Sequence, residues 1–388
     1  MQDHLRKDLA APAASPSALV TASGWMAPTS SNSTLCRVRK GSLLDARRRW
    51  DNQSVLRVYL DQNKWVELSR SRKTGFTDDL AGVWHLATAG VERGLLSFPL
   101  SAIHYYETNK RVNQQSRWNL AATMAELSHM HAIAGPSTLV PLEVEAAVAK
   151  IVPGSLPAPP IQAFGIGAAH ALGADPGTFT GLSSVEELHA AGMPADMLNL
   201  VHRGLVDAAE LAVLARTEFS ERAKQIAAQV RLQMGTVDRK FADGQRSYAE
   251  GIKARGLRHR RDEGLSRFDL MDIMPLFTRA CLERGVLLKP EQFRDIEVVE
   301  RLLRQVPSKW LVREMRRIRH RNPQQPWTDS DLNDVNALSG AVVYCHVVVT
   351  ERQWAHHLNK EGLAEIHRTT VIYDLHQLPE LLVAHSIA

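Results

Sequence analysis

Carboxylates stand at the edges of predicted buried elements in two stretches far apart in the chain. The first is Val58-Tyr59-Leu60-Asp61-Gln62-Asn63-Lys64-Trp65. The second is Asp331-Leu332-Asn333-Asp334, followed by an apolar run over 342–350 and then Glu351. Glu107 falls inside a helix expected to start after Ser101. Acids gathered on a chain of net charge +5 call for a counter-ion, and a hard divalent cation supplies one. Phosphodiester hydrolysis uses such an ion to polarise the phosphoryl oxygen and to lower the pKa of the attacking water. On this reading Asp61, Glu107, Asp331, Asp334 and Glu351 hold Mg²⁺ or Mn²⁺ rather than act as general acids or bases. Each acid also has a plainer reading. Asp331 suits a helix N-terminus, Glu107 could pair with Arg111 one turn on, and Glu351 could be an exposed strand end.

The elements that must position these acids alternate at the two ends of the chain. Residues 55–60 and 342–350 read as short apolar strands covered on both faces. In an open parallel sheet the site lies beyond the carboxyl ends of the strands, so neighbouring strands would set Asp61 and Glu351 in one crevice. Further strands are expected at 95–99 and 370–373. Helices are expected at 78–93, 101–115, 117–134, 308–320, 329–340, 352–362 and from 378. Asp331 and Asp334, three apart at a helix start, share a face. The middle of the chain is helical. Phe219, Ala223, Ile226, Val230, Met234, Val237 and Phe241 form one apolar stripe at steps of three and four. Helices are also expected at 267–284 and 290–305. The Pro-rich stretch 152–160 reads as linker. Gly165-Ile166-Gly167 lacks a preceding strand and is too incomplete for a dinucleotide loop.

The organisation expected is therefore a disordered segment over 1–52, an α/β domain split between 53–133 and 306–388, and a mostly helical insertion over 134–305. The first segment makes a poor secretory signal, and no apolar run nears the roughly 18 residues of a membrane span. Cys36, Cys281 and Cys345 show no CxxC spacing, which argues against a thiolate metal site and for a reducing, cytoplasmic setting. No HExxH or GxSxG pattern is present.

The quoted motifs resemble those of PIN-domain proteins. Residues 59–65 resemble the first PIN motif, an apolar strand followed by Asp-x-Asn. Residues 99–108 resemble the second, whose helix carries a metal-binding Glu. Residues 331–338 resemble the third, and 341–351 the final strand. The resemblance covers about 170 residues and implies a three-layer α/β/α fold with a central parallel sheet. It also implies Mg²⁺- or Mn²⁺-dependent cleavage of single-stranded RNA. Carried over, Asp61, Glu107 and Asp334 are the core ligands, Asp331 an additional one, and Glu351 takes the last acidic position. His346 stands where look-alikes carry an acid, which would weaken the site or favour Mn²⁺.

Arg313, Arg316, Arg317 and His320, at helical spacing, could hold phosphates together with Asn63, or could simply pair with Glu300 and Glu314. Trp65, Trp310 and Trp327 suit core packing better than base stacking. The leading expectation is a metal-dependent endoribonuclease, in a toxin, RNA-processing or defence setting. Its partners would be RNA, an antitoxin or other protein, or a second copy of the chain. The rival from another class is a degenerate PIN fold that binds RNA or protein without cutting. A third reading is a helical interaction protein whose acids are surface features.

Overall fold

A computed structural model describes residues 55–76, 79–152, 154–175, 189–190, 192, 194–216, 221–322 and 326–385. The segment expected to be disordered lies outside these residues, as does Phe219 of the apolar stripe. The described chain is mixed α/β, with helices far outweighing strands.

Four parallel strands form the central sheet. They are β1 (Leu56–Leu60), β2 (Leu96–Ser97), β5 (Val347–Val349) and β6 (Thr370–Ile372), in the order β2-β1-β5-β6. The register pairs Val58 with Val347 and Leu60 with Val349, so strands from opposite ends of the chain lie side by side. Val and Leu dominate because both faces are covered. Leu56, Val58, Leu60, Val347 and Val349 share one core with Trp65, Leu68, Trp84 and Met124, while Tyr59, Val348 and Val371 enter a second core with Leu311, Met315, Leu338 and Trp354. This is strand alternation dividing one sheet between two hydrophobic layers. Each fully buried aliphatic side chain contributes about 1.5–3 kcal/mol, so the sheet centre is held firmly.

On the first layer lie α1 (Gln62–Lys73), α2 (Leu80–Glu92) and α4 (Gln114–Ser128). Between β2 and α4 comes α3 (Ala102–Lys110), with Ser101 and His104 forming a capping box at its start. The chain continues through β3 (His131–Ile133), α5 (Pro136–Ile151), β4 (Phe164–Ile166) and α6 (Gly167–Leu172), with β3 and β4 paired antiparallel. The middle supplies α7 (Ala195–Ala215), α8 (Glu221–Ala254), α9 (Arg261–Leu282) and α10 (Ile296–Arg304). It returns to the sheet through α11 (Pro307–Arg321) and α12 (Asp331–Tyr344). After β5 come α13 (Arg352–Lys360), α14 (Leu363–Ile366), β6 and α15 (Leu378–Ala384).

Three differences from the sequence reading have physical causes. The helix expected over 117–134 ends at Ser128, because His129 and Met130 both take left-handed backbone (φ 48° and 59°) and β3 follows. That stop carries no glycine, so the usual end signal is missing. The strand expected over 342–350 is only Val347–Val349, and α12 runs on to Tyr344. Ala341 and Val342 are completely buried on that helix, and a buried apolar run does not distinguish helix from strand. A strand, β4, does precede Gly167, although it pairs only with β3. Within the helical stripe, Phe241 stacks edge-on against Trp327 whereas Val237 is exposed. No helix among the described residues is long and apolar enough to cross a membrane.

Candidate functional site

Pairing of β1 with β5 brings the two acidic stretches to the same sheet edge. Asp61 ends β1 and caps α1, with its amide donating to the Val349 carbonyl at 2.9 Å. Its Oδ1 accepts the Gln62 amide at 2.8 Å and its Oδ2 accepts the Thr350 hydroxyl at 2.8 Å. Glu351 caps α13 one strand over in the same extended backbone as Asp61, and its Oε1 accepts from the Asn63 amide. Asp334 lies in the first turn of α12, where the Trp354 indole N–H donates to its Oδ2 at 3.1 Å. Glu107, on α3, accepts from the Asn333 amide at 2.6 Å and faces Lys110 at 3.5 Å. Its ion pair is thus with Lys110, not with Arg111.

The electrostatics show a site short of positive charge. Burial, opposed by the Thr350 and Gln62 hydrogen bonds and reinforced by Glu351 and Glu107, raises the Asp61 pKa from 3.8 to about 6. Burial raises Asp334 further, from 3.8 to about 7, with Asp61 adding the next largest push and Glu351 and Asp331 smaller ones. Both carboxyls sit near helix N-termini, whose partial positive charge favours the ionised form. Desolvation and mutual repulsion outweigh it. A mutually repelling pair, one carboxylate buried and the other half-buried, is what a cation would relieve.

A rigid support lies beneath Asp61. The Ser101 amide donates to His104 Nδ1 at 2.8 Å, which leaves His104 Nε2 to carry the proton, 2.9 Å from the Leu60 carbonyl. Complete burial lowers the His104 pKa to about 3, so the ring is neutral. Tyr59 joins the same support through Ser101 Oγ at 3.1 Å. The carbonyl just before Asp61 is therefore held by an imidazole that cannot change its charge near neutral pH.

Asp61, Glu107, Asp334 and Glu351 are the expected acids that the fold brings within reach of one another's charge, although no three of them converge among the described residues. Asp331 is turned away. Its Oδ2 accepts from Arg319 at 2.8 Å, from the Thr328 amide at 2.6 Å and from the Thr328 hydroxyl at 3.0 Å. It reaches the site only through its charge. His346 stands at the other end of β5, where its Nδ1 accepts the Arg57 amide at 3.0 Å. At strand rise it is roughly 13 Å from Thr350, so the histidine in place of an expected acid does not enter the acidic site.

The expected phosphate contacts also fall elsewhere. Arg313 is buried between Glu300, Glu314 and the Ser266 hydroxyl. Arg316 is buried on Asp269 at 2.8 Å and Gln245 at 3.2 Å. Arg317 bridges Glu314 and Glu361. Unpairing such residues would leave charges uncompensated in the interior, so they bind the helices together rather than a ligand. Trp65, Trp310 and Trp327 are buried as well. Sequence reasoning missed Asn333, Thr350 and Trp354, whose polar hydrogens orient Glu107, Asp61 and Asp334. The signal was their place one to three residues from an acid already singled out.

Among the described residues no three His, Cys, Asp or Glu side chains stand together as a ready metal-holding group. Mg²⁺ keeps most of its waters and is commonly held by one or two carboxylates. The Asp61–Asp334 pair, one buried and one half-buried and neither in an ion pair among the described residues, fits that mode of binding by its donor chemistry. No family model, curated protein or solved structure matches the chain.

Proposed function

We propose that the protein is a PIN-like, metal-dependent ribonuclease that hydrolyses phosphodiester bonds in single-stranded RNA. The observation that carries this reading is the electrostatic coupling of Asp61, buried, with Asp334, half-buried, whose pKa values are raised to about 6 and about 7 beyond the carboxyl edge of a parallel sheet. In this reading the sheet and its covering helices are the three-layer PIN architecture, and the middle helices are an insertion.

Asp61 and Asp334 would hold a Mg²⁺ or Mn²⁺ ion, with Glu107 and Glu351 completing the acidic rim. When bound, the ion supplies Lewis-acid polarisation of the phosphate and an activated water. The Gln62 amide and the Thr350 hydroxyl hold the two oxygens of Asp61, each of which keeps a further lone pair, and Trp354 fixes one oxygen of Asp334. Asn63 and Asn333 orient the two outer acids. The neutral His104 keeps the end of β1 in place without adding charge. Water oxygen attacks phosphorus, one P–O bond breaks, and the products are a phosphate monoester and a free hydroxyl.

The test is cleavage of mixed single-stranded RNA and DNA with Mg²⁺, with Mn²⁺ or with EDTA, comparing wild type with Asp61→Asn and Asp334→Asn. Metal-dependent RNA cutting lost in both variants supports the proposal. The rival reading, a PIN-like fold that binds without cutting, is favoured by one observation, the lack of three converging ligand side chains among the described residues. RNA binding by folded wild type with no cutting under either metal would establish that rival.

A further inference from the structure

The exposed face of α1 leads away from the acidic rim into a cleft of about 560 Å³, lined by Asn63, Glu67, Arg70, Thr74 and Arg111 among others. Asn63 is the residue that also holds Glu351, so one end of the cleft borders the acidic site. Asn63, Glu67, Arg70 and Thr74 recur at steps of three and four and form one helix stripe. Arg70 lies two turns beyond Asn63, about 10 Å along the axis. Arg111 faces the same cleft from the end of α3, where it caps the helix.

The two guanidiniums differ from those on α11. Neither Arg70 nor Arg111 makes an ion pair among the described residues, and Arg111 reaches only the Ser116 hydroxyl, at 3.4 Å. Burial, and then the positive charge of Arg70, hold the Arg111 pKa below its usual value, with the Glu107 charge only partly offsetting them. Two like charges thus share a cleft, and an anion between them would relieve their repulsion. The one acid in the lining, Glu67, is already paired with Lys64 at 3.1 Å. The backbone that presents Arg111 is fixed from below. Buried Arg117 donates to the Arg111 carbonyl at 2.7 Å and the Val112 carbonyl at 3.0 Å, and to the Ala215 carbonyl at 3.1 Å.

We infer that Arg70 and Arg111 form a phosphate-binding subsite that grips the RNA backbone beside the acidic site, at a phosphate other than the one being cut. The inference rests on the ribonuclease reading for its ligand class. Arginine pairs suit this task because each planar fork can make two parallel hydrogen bonds to phosphate oxygens. A grip two helix turns from the acids sets the register of the strand, and carries no base preference of its own.

The experiment is binding of a short fluorescein-labelled single-stranded RNA in EDTA across a salt titration. The variants are Arg70→Gln/Arg111→Gln, its charge-keeping counterpart Arg70→Lys/Arg111→Lys, and the charge-matched control Arg260→Gln/Arg279→Gln. The glutamine pair is expected to bind about tenfold more weakly, with a salt slope shallower by about 1.4, the value for two lost single-strand phosphate contacts. The lysine pair should recover most of the affinity, which excludes misfolding as the cause. Wild-type affinity in the glutamine pair, or an equal loss in the control pair, overturns the subsite. Cleavage assayed separately keeps the two ideas apart. A protein that binds through Arg70 and Arg111 but never cuts retains the subsite and loses the nuclease. A protein that cuts, and binds equally well without both arginines, does the reverse.

Discussion

Replacing Asp334 by Asn should stabilise the metal-free protein at neutral pH. The Asp334 carboxyl has a pKa near 7 when folded and 3.8 as its reference value, a rise caused chiefly by burial and then by Asp61. The sign follows from linkage. A folded pKa raised above the unfolded one means that the native state favours the protonated form. Stability is therefore full below about pH 4 and falls as pH rises towards 7. A rise of roughly three pKa units at 1.36 kcal/mol each sets a ceiling of about 4 kcal/mol on the loss. Relaxation and water entry around the acids lower the realised cost, so about 2 kcal/mol is the expected gain for Asp334→Asn at pH 8 in EDTA. Asparagine keeps an oxygen that can accept the Trp354 N–H, so no donor is orphaned. The assay is urea unfolding of wild type and variant from pH 4 to pH 8, always in EDTA. The two curves should converge at the acid end and diverge in favour of the variant above pH 6. A variant less stable than wild type at pH 8, or a wild type whose own stability rises steadily over this range, would refute the claim that the acids are strained by burial and mutual repulsion.

Other outcomes follow from named contacts. Millimolar Mn²⁺ should raise the unfolding midpoint of wild type but not of Asp61→Asn/Asp334→Asn, because ligand binding to the native state alone adds stability. Trp354→Phe removes the N–H that favours ionised Asp334, so isothermal titration should show weaker Mn²⁺ binding at pH 7 with little change in fold. Arg319→Ala leaves Asp331 buried without its ion pair, and should cost about 3–5 kcal/mol in urea unfolding. Asp331→Asn, by contrast, should keep kcat near that of wild type at temperatures where it stays folded, since that carboxylate is committed to Arg319 and Thr328. Gly90→Ala would set a Cβ 2.4 Å from Leu96 Cδ1 in a fully buried contact, and should lower stability by about 1–3 kcal/mol.

Much of the frame was legible from local pattern. The apolar run 56–60 ending at Asp61 announced both a covered strand and an acid at its carboxyl end, and the starts of the helices carrying Glu107 and Asp334 followed, to within two residues, from capping residues at Ser101 and Asp329. The length of the strand before Glu351 was not legible. Ala341, Val342 and Val347 are equally apolar, and only packing against Leu311, Ile133 and the neighbouring strand assigns the first two to a helix. The strand β3 was hidden for a different reason. Its helix stop rests on left-handed His129 and Met130, residues whose side chains give no hint of it.

Residue type and spacing, by themselves, determined which carboxylates border buried elements and that Asp331 and Asp334 share a helical face. Tertiary structure alone decided what each charge does. Pairing of β1 with β5 across nearly 290 positions of chain joined Asp61 to Thr350 and Glu351. The approach of Arg319 withdrew Asp331, and the acids of α9 and α10 absorbed Arg313 and Arg316 while Arg70 and Arg111 stayed open to a cleft. The physical reason is that strand and helix signals are short-range, whereas the state of a charge depends on how much water it keeps and which opposite charge the fold sets beside it.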